Sequence, residues 1–357
     1  MALPKIPADG DKPKTLKDSI YTSTPVVLTV VATILAGMSS SEMTRAQYYR
    51  AMAAQNQAKA ADQWGYYQSK RTRATEAQNA LDLLDFTAHP MRLDLVGVQA
   101  ECREASKNLQ TSGISKEISD RAGALGVQLA NLLSSPAVTS ASGSIEQNLP
   151  QMTDKPISDP KIIQAMDAVI QGQTEEQMTP LLRQIDAKSL DDAILTADQN
   201  LQAFSKAVKP ANAMLDKLHD IVIPMSSIAH RAGANGASTM TSAPTQAGAD
   251  SFRQIDAAAA DVTAARLEYS AARYEKEAQY NGVCGQLYEV EVRKSGAMSD
   301  RARNRSAELF YGMLAAQAGV VISTLSLAVR QRSVFWTLAA LSGGIAVAFS
   351  GYIYLFT

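Results

Sequence analysis

Three stretches without an ionisable side chain constrain this sequence more than any other feature. Residues 25–41, 309–329 and 333–356 contain no Asp, Glu, Lys, Arg or His. A helix needs roughly 20 apolar residues to cross about 30 Å of hydrocarbon. The last two stretches reach that length, and the first reaches it once Ser23 and Thr24 join it. The spacing predicts transmembrane helices over 23–41, 309–329 and 333–356, the alternative for each being a buried core helix. The first stretch has a second alternative, a cleaved signal peptide. Lys12, Lys14 and Lys17 supply a basic leader and Ser39-x-Ser41 a small-residue site. The stretch is expected to be an uncleaved signal anchor. Leu35-Ala36-Gly37 is followed by Met38, where a lipidation box needs cysteine, so that modification is excluded.

A mean hydropathy of -0.11 conceals these stretches by averaging them with a polar remainder. The net charge is -1, which lacks the electrostatic footprint of a nucleic-acid binder. Two cysteines, Cys102 and Cys284, exclude a disulfide framework and a cysteine-rich metal site. Only Arg330, Gln331 and Arg332 separate the last two apolar stretches, which therefore form a tight antiparallel hairpin with a basic turn over 330–332. Lys12, Lys14, Lys17, Arg330 and Arg332 on one side nearly balance Arg45, Arg50, Arg301, Arg303 and Arg305 on the other. The basic turn and the first anchor decide the orientation, with the N-terminal tail (1–22) inside and the large middle region outside.

Between the anchors the pattern is helical. Alanine is roughly a sixth of the chain and long alternating strand patterns are absent. Residues 42–88 predict a first stalk helix, continuing the anchor and ending at His89-Pro90, because proline restricts the residue before it. Residues 89–250 predict a small helical head with helices near 91–110, 115–134, 160–171, 175–207 and 211–222. Thr174 and Gln177 have capping-box spacing. Two stretches, 134–160 and 233–248, are rich in Ser, Pro, Gly or Ala and predict mobile loops. A heptad seam then runs from Phe252 through Ile255, Val262, Tyr269, Leu287 and Val290 to Ala297, marking a second stalk helix over 251–308. Arg266, Arg273 and Lys276 interrupt it, and Gly282, Gly285 and Gly296 predict a bend. The expected fold class is all-α: a long antiparallel, coiled-coil-like stalk with a small helical head and three transmembrane helices.

The segment Ala61-Asp62-Gln63-Trp64-Gly65-Tyr66-Tyr67-Gln68-Ser69-Lys70 follows the first anchor by about 20 residues. With the terminal hairpin, it resembles a bacterial membrane-protein family, domain of unknown function 4337. The resemblance covers about 42–73 and 265–356, although Gly65 stands where the family commonly has alanine and the middle region is longer. It implies a bacterial membrane location and a shared architecture, and it implies no activity. On a helix Trp64 and Gln68 share one stripe, and Gln63 and Tyr67 another. Ordinary stalk packing, an oligomer or partner contact, and a ligand box of Trp64, Tyr67 and Gln68 are the alternatives for this motif.

No phosphate-binding glycine loop, nucleophile elbow, zinc-protease helix or calcium loop occurs. His89, His219 and His230 are isolated in sequence. Asp191-Asp192, Glu175-Glu176 and the Glu289/Glu291 pair diverge on a helix rather than converge. Within the apolar stretches Gln317 is the one strongly polar side chain, with Ser323, Thr324 and Ser326 nearby. Ala340, Gly344 and Ala348 form a small-residue stripe suited to hairpin packing or an intersubunit contact. Arg301, Arg303 and Arg305 lie beside the bilayer boundary as candidates for lipid head-group contact. The chain is expected to be a non-enzymatic, membrane-anchored helical scaffold that self-associates, with no catalytic residues, cofactor, metal or nucleic-acid partner. The alternative is a channel-like or regulatory membrane subunit with Gln317 and nearby hydroxyls facing a pore.

Overall fold

The computed structural model describes residues 16–91, 93–111, 116–134, 157–239, 246–328 and 332–356. The start of the N-terminal tail, most of the 134–160 loop and the first two residues of the basic turn lie outside the described residues. Among those described, every regular element is a helix: α1 (Leu16–Ala88), α2 (Leu95–Thr111), α3 (Lys116–Leu133), α4 (Pro160–Ile170), α5 (Glu175–Leu182), α6 (Ala187–Thr239), α7 (Gln246–Ala328) and α8 (Arg332–Phe356). Three of them, α1, α7 and α8, are long and apolar enough to cross a membrane.

Local chemistry sets most of the boundaries. α1 ends at Ala88, and His89 turns the chain with a φ of 46° just before Pro90. Asp159 caps α4 by accepting from the Lys161 N–H at 2.9 Å, with Pro160 in the first turn. Gln177 accepts from the Thr174 N–H at 3.1 Å, so the expected capping box forms.

Other boundaries correct the sequence reading. α1 begins at Leu16, so the last part of the expected tail is helical. The chain breaks after α5 rather than at Pro210, because Asp186 receives the Ser189 N–H and starts α6. α6 then runs through Pro210 and Pro224. Each proline removes one backbone bond, but the buried neighbours Val208, Leu215, Val222 and Met225 hold the helix on course. The expected loop over 233–248 is helical at 233–239 and at 246–248. Alanine at 234 and 237, with no proline between 225 and 239, carries α6 onward.

The chain divides into two compact units. The first comprises residues up to Gln57, Gln173–Arg183 and everything from Val290. Its apolar centre is Ala32 and Leu35 of α1, Leu309 and Ala316 of α7, and Ala346 of α8. Small residues let these helices close up. A Cβ on Gly343 would collide with the Leu28 side chain, and one on Gly319 would lie 3.1 Å from Leu28 and 3.3 Å from the Ala339 carbonyl. Hydroxyls seal the contacts: Ser39 donates to the Ser306 carbonyl at 2.9 Å, Ser306 returns the bond at 2.8 Å, and Ser342 donates to the Ala315 carbonyl. At one end Trp336 donates to Thr24 at 3.0 Å and meets Tyr21 edge-on. The outward faces carry Val26, Val30 and Ile34, then Leu314, Val321 and Leu325, then Leu341, Ile345 and Val347. A surface this apolar suits hydrocarbon and not water.

The second unit comprises Ala58–Gly172 and Gln184–Glu289. Its core joins Val98 and Cys102 of α2, Leu129 of α3, Leu218, Val222 and Met225 of α6, and Ile255, Ala258 and Val262 of α7. A second cluster sets Phe204, Val208 and Leu215 of α6 around Tyr269 of α7, whose hydroxyl donates to the Val208 carbonyl. Two of the three charged interruptions of the heptad seam have partners on α6. Arg266 meets Asp216 at 2.8 Å, and Arg273 donates to Asn212. Lys276 points outward, and Glu277 takes the buried position beside it.

His89 occupies a left-handed conformation that costs a side chain with a Cβ about 1 kcal/mol or more. Glycine there relieves the strain but pays more chain entropy. His89→Gly is therefore expected to slow amide hydrogen exchange at the end of α1 by about twofold. Faster exchange in the variant would mean that the histidine side chain contributes more than its backbone costs.

Candidate functional site

In the second unit the aromatic motif of α1 is seated on α7. Trp64 and Tyr67 meet edge-to-face at 5.4 Å, and each lies against a glycine. A Cβ on Gly285 would lie 3.2 Å from the Trp64 ring, and one on Gly282 would lie 3.3 Å from Tyr67. Trp64 Nε1 donates to Glu289 at 3.2 Å, and Arg71 donates to the Tyr67 hydroxyl at 2.8 Å. One turn further along α1, Lys70 pairs with the buried Glu277, which also faces Arg273 at 3.6 Å. The Tyr274 ring lies 4.3 Å from the Arg273 guanidinium and 5.2 Å from Lys70 Nζ. Gln68 is exposed and takes no part, while Gln63 is part-buried with its Oε1 lacking a hydrogen-bond partner among the described residues.

This arrangement gives Gly282 and Gly285 a role that neither residue displays by itself. α7 continues through both glycines, and they receive rings from α1. The available signal was their three-residue separation, which matches the three-residue separation of Trp64 and Tyr67 in a helix running the other way.

The candidate residues of the apolar segments lie on open faces of the first unit. Gln317 is exposed on α7, whereas Ser323 and Ser326 are buried and donate to carbonyls three residues back. Ala340, Gly344 and Ala348 are exposed on α8, and a Cβ on Gly344 would meet nothing within 4 Å. The contacts with α1 and α7 instead use Ala339, Gly343 and Ala346. The three arginines separate as well. Arg301 and Arg303 are exposed and Arg305 is part-buried. Burial first, then the guanidiniums of Arg305 and Arg183, hold Arg301 below the usual arginine range, while Glu42 opposes the shift.

One histidine has acquired a carboxylate and a hydroxyl. Ser226 donates to Asp256 at 2.7 Å, and His230 Nε2 lies 3.1 Å from the other carboxylate oxygen. The carboxylate stands between the two, so no imidazole is placed to take the serine proton. His219 lies 3.9 Å from its neighbour Asp220. Among the described residues no group of three or more His, Cys, Asp or Glu could hold a metal ion. Cys102 and Cys284 are both buried. Burial, reinforced by Glu101, pushes the Cys102 thiol up to about 12. Burial and then Asp198, at 3.6 Å from the sulfur, push the Cys284 thiol up to about 12 as well.

A family model, Domain of unknown function (DUF4337), matches residues 20–125. The match takes in the first apolar span, the Trp64 motif and all of α2, and ends inside α3. It covers the first part of the resemblance, 42–73, and does not extend to 265–356. Within the DUF4337 stretch lie Trp64, Tyr67 and Gln68, while Gln317, the α8 stripe and the three arginines lie beyond it. No curated protein and no solved structure matches the chain.

Two outcomes follow from this geometry. Gly285→Val is expected to destabilise the second unit by about 1–3 kcal/mol, the usual cost of overpacking, with Trp64→Ala recovering part of the loss in a double-mutant cycle. Additive effects in denaturant unfolding would separate the two residues. Both thiols are expected to resist a maleimide near neutral pH and to react fully once the chain is denatured, because the thiolate is the reactive form. Prompt native labelling at either position would contradict the burial.

Proposed function

We propose that the chain is a membrane-anchored, non-enzymatic helical scaffold that self-associates through its apolar helices. The open face of α8 carries this reading. Ala340, Gly344 and Ala348 offer a smooth groove with nothing against Gly344. Small residues four apart let a second helix approach closely, and backbone proximity is what drives helix association in lipid. The exposed Gln317 supports the same reading, since an amide facing hydrocarbon is costly until another amide reaches it. The non-enzymatic part is supported by the Ser226–Asp256–His230 order, which leaves the hydroxyl without a base, and by two thiols held at about 12. Placement in a bacterial inner membrane, with the basic turn cytoplasmic and the large helical region periplasmic, rests on the family resemblance and on the basic residues.

Gln317 also carries a second reading, a channel-like or regulatory subunit whose pore forms between copies. The scaffold reading predicts an oligomer in mild detergent by light scattering. Gly344→Leu and Gln317→Leu are each expected to weaken association by about tenfold. A monomer at every concentration would overturn it. Reconstituted conductance altered by Gln317→Leu would favour the channel, and electrically silent bilayers would count against that alternative.

A further inference from the structure

In the first unit a cavity of about 560 Å³ opens where α1 and α7 leave their apolar segments, beside the end of α8. That volume is in the range of small-ligand sites. The two halves of its lining differ in character. Met38, Leu309 and Ile353 form an apolar floor continuous with the apolar segments. Arg45, Arg305 and Glu42 are the lining's charged members, and the hydroxyl residues Ser41 and Ser350 complete it, with Ser350 turned back onto the Ala346 carbonyl. Arg45 reaches Glu42 at 3.2 Å, and with Arg305 beside them the lining carries an excess positive charge. Arg305 Nε is buried with no hydrogen-bond partner among the described residues. A buried donor without an acceptor is costly, and a guanidinium is the group best shaped to bind a phosphate in two places.

We infer that this cavity holds an anionic phospholipid, its phosphate on Arg305 and Arg45 and an acyl chain along Met38, Leu309 and Ile353. Free phosphate would satisfy the arginines and leave the apolar floor empty. A neutral hydrocarbon would do the reverse. A phosphodiester carrying acyl chains fits both halves, and a bilayer presents that group at the end of an apolar span. The crowding of Arg305, Arg301 and Arg183 adds to the attraction, because a bound anion screens their mutual repulsion. Arg303 is exposed and does not line the cavity, so it serves as the internal control.

The inference depends on the apolar helices being in a membrane, and the experiment reads that separately. The full chain and its variants are purified in mild detergent, checked for equal helicity, and tested in their source membranes for resistance to alkaline carbonate. Native mass spectrometry then counts adducts of phosphatidylglycerol, phosphatidylcholine and inorganic phosphate. Phosphatidylglycerol is expected to be retained over phosphatidylcholine, with retention reduced about tenfold in Arg305→Gln and unchanged in Arg303→Gln. Met38→Trp, which fills the floor and keeps both arginines, is expected to lose the lipid as well. Equal adducts in Arg305→Gln and Arg303→Gln, or no preference for the anionic lipid, would overturn the inference. Displacement of the lipid by millimolar inorganic phosphate would overturn it in favour of a free-phosphate site. Carbonate extraction of the unmodified chain would instead remove the membrane reading on which the site rests.

Discussion

Close antiparallel contact between α1 and α7 is the interaction on which the rest depends, and small side chains make it close. Within the first unit Ser39 faces Ser306, and the Ala46 carbonyl receives Ser299. Within the second, Trp64 lies on Gly285, Tyr67 on Gly282 and Lys70 on Glu277. In each unit a step forward along α1 is a step back along α7. The register is chemical as well as geometric. A slip by one residue would drive Trp64 onto Cys284 or Gln286 and would separate the reciprocal serines. Because alanine, serine and glycine have little side-chain entropy to lose, such seams can be long without bulky residues, which accounts for a chain with so few aromatics.

The features written in short-range chemistry were legible in the sequence: three charge-free stretches, the stop before Pro90, and the Thr174–Gln177 cap. The helical class followed from them and from alanine content. Features decided by packing at a distance were not legible. Pro210 and Pro224 resemble terminators, and only the buried neighbours of each explain why α6 passes through. Arg266 and Arg273 resemble defects in an apolar seam until Asp216 and Asn212 of α6 are set opposite them. Asp186 is a helix cap that looks like one more surface carboxylate, because nothing beside it signals a preceding break.

The same limit governs the candidate site residues. Ala339, Gly343 and Ala346 are as small as Ala340, Gly344 and Ala348, and the two sets lie on adjacent stripes of one helix. Composition cannot choose between them. The choice is made by Leu28, whose side chain fills the space left by Gly343, and by Ser342, which reaches the Ala315 carbonyl. Once that face is taken, the other is left outward. The aromatic motif divides in a comparable way, since Trp64 and Tyr67 are consumed by α7 and Gln68 is left on the surface.

An outward stripe of small residues is a poor surface to give to lipid. Acyl chains gain most from dispersion against bulky, irregular side chains such as Ile345 and Val347, which flank it. A smooth track through Gly344 gains little from a mobile chain, yet it lets a second helix bring its backbone within reach. Where the surrounding surface is Val, Leu and Ile, the small residues are the departure that needs a cause, and packing among the described residues does not supply one. Gln317 is the same kind of departure on α7, polar where its neighbours are apolar and exposed where Ser323 and Ser326 are tucked against their own backbone. Under the proposed self-association a second helix would cover the stripe or meet the amide, and lipid would do neither.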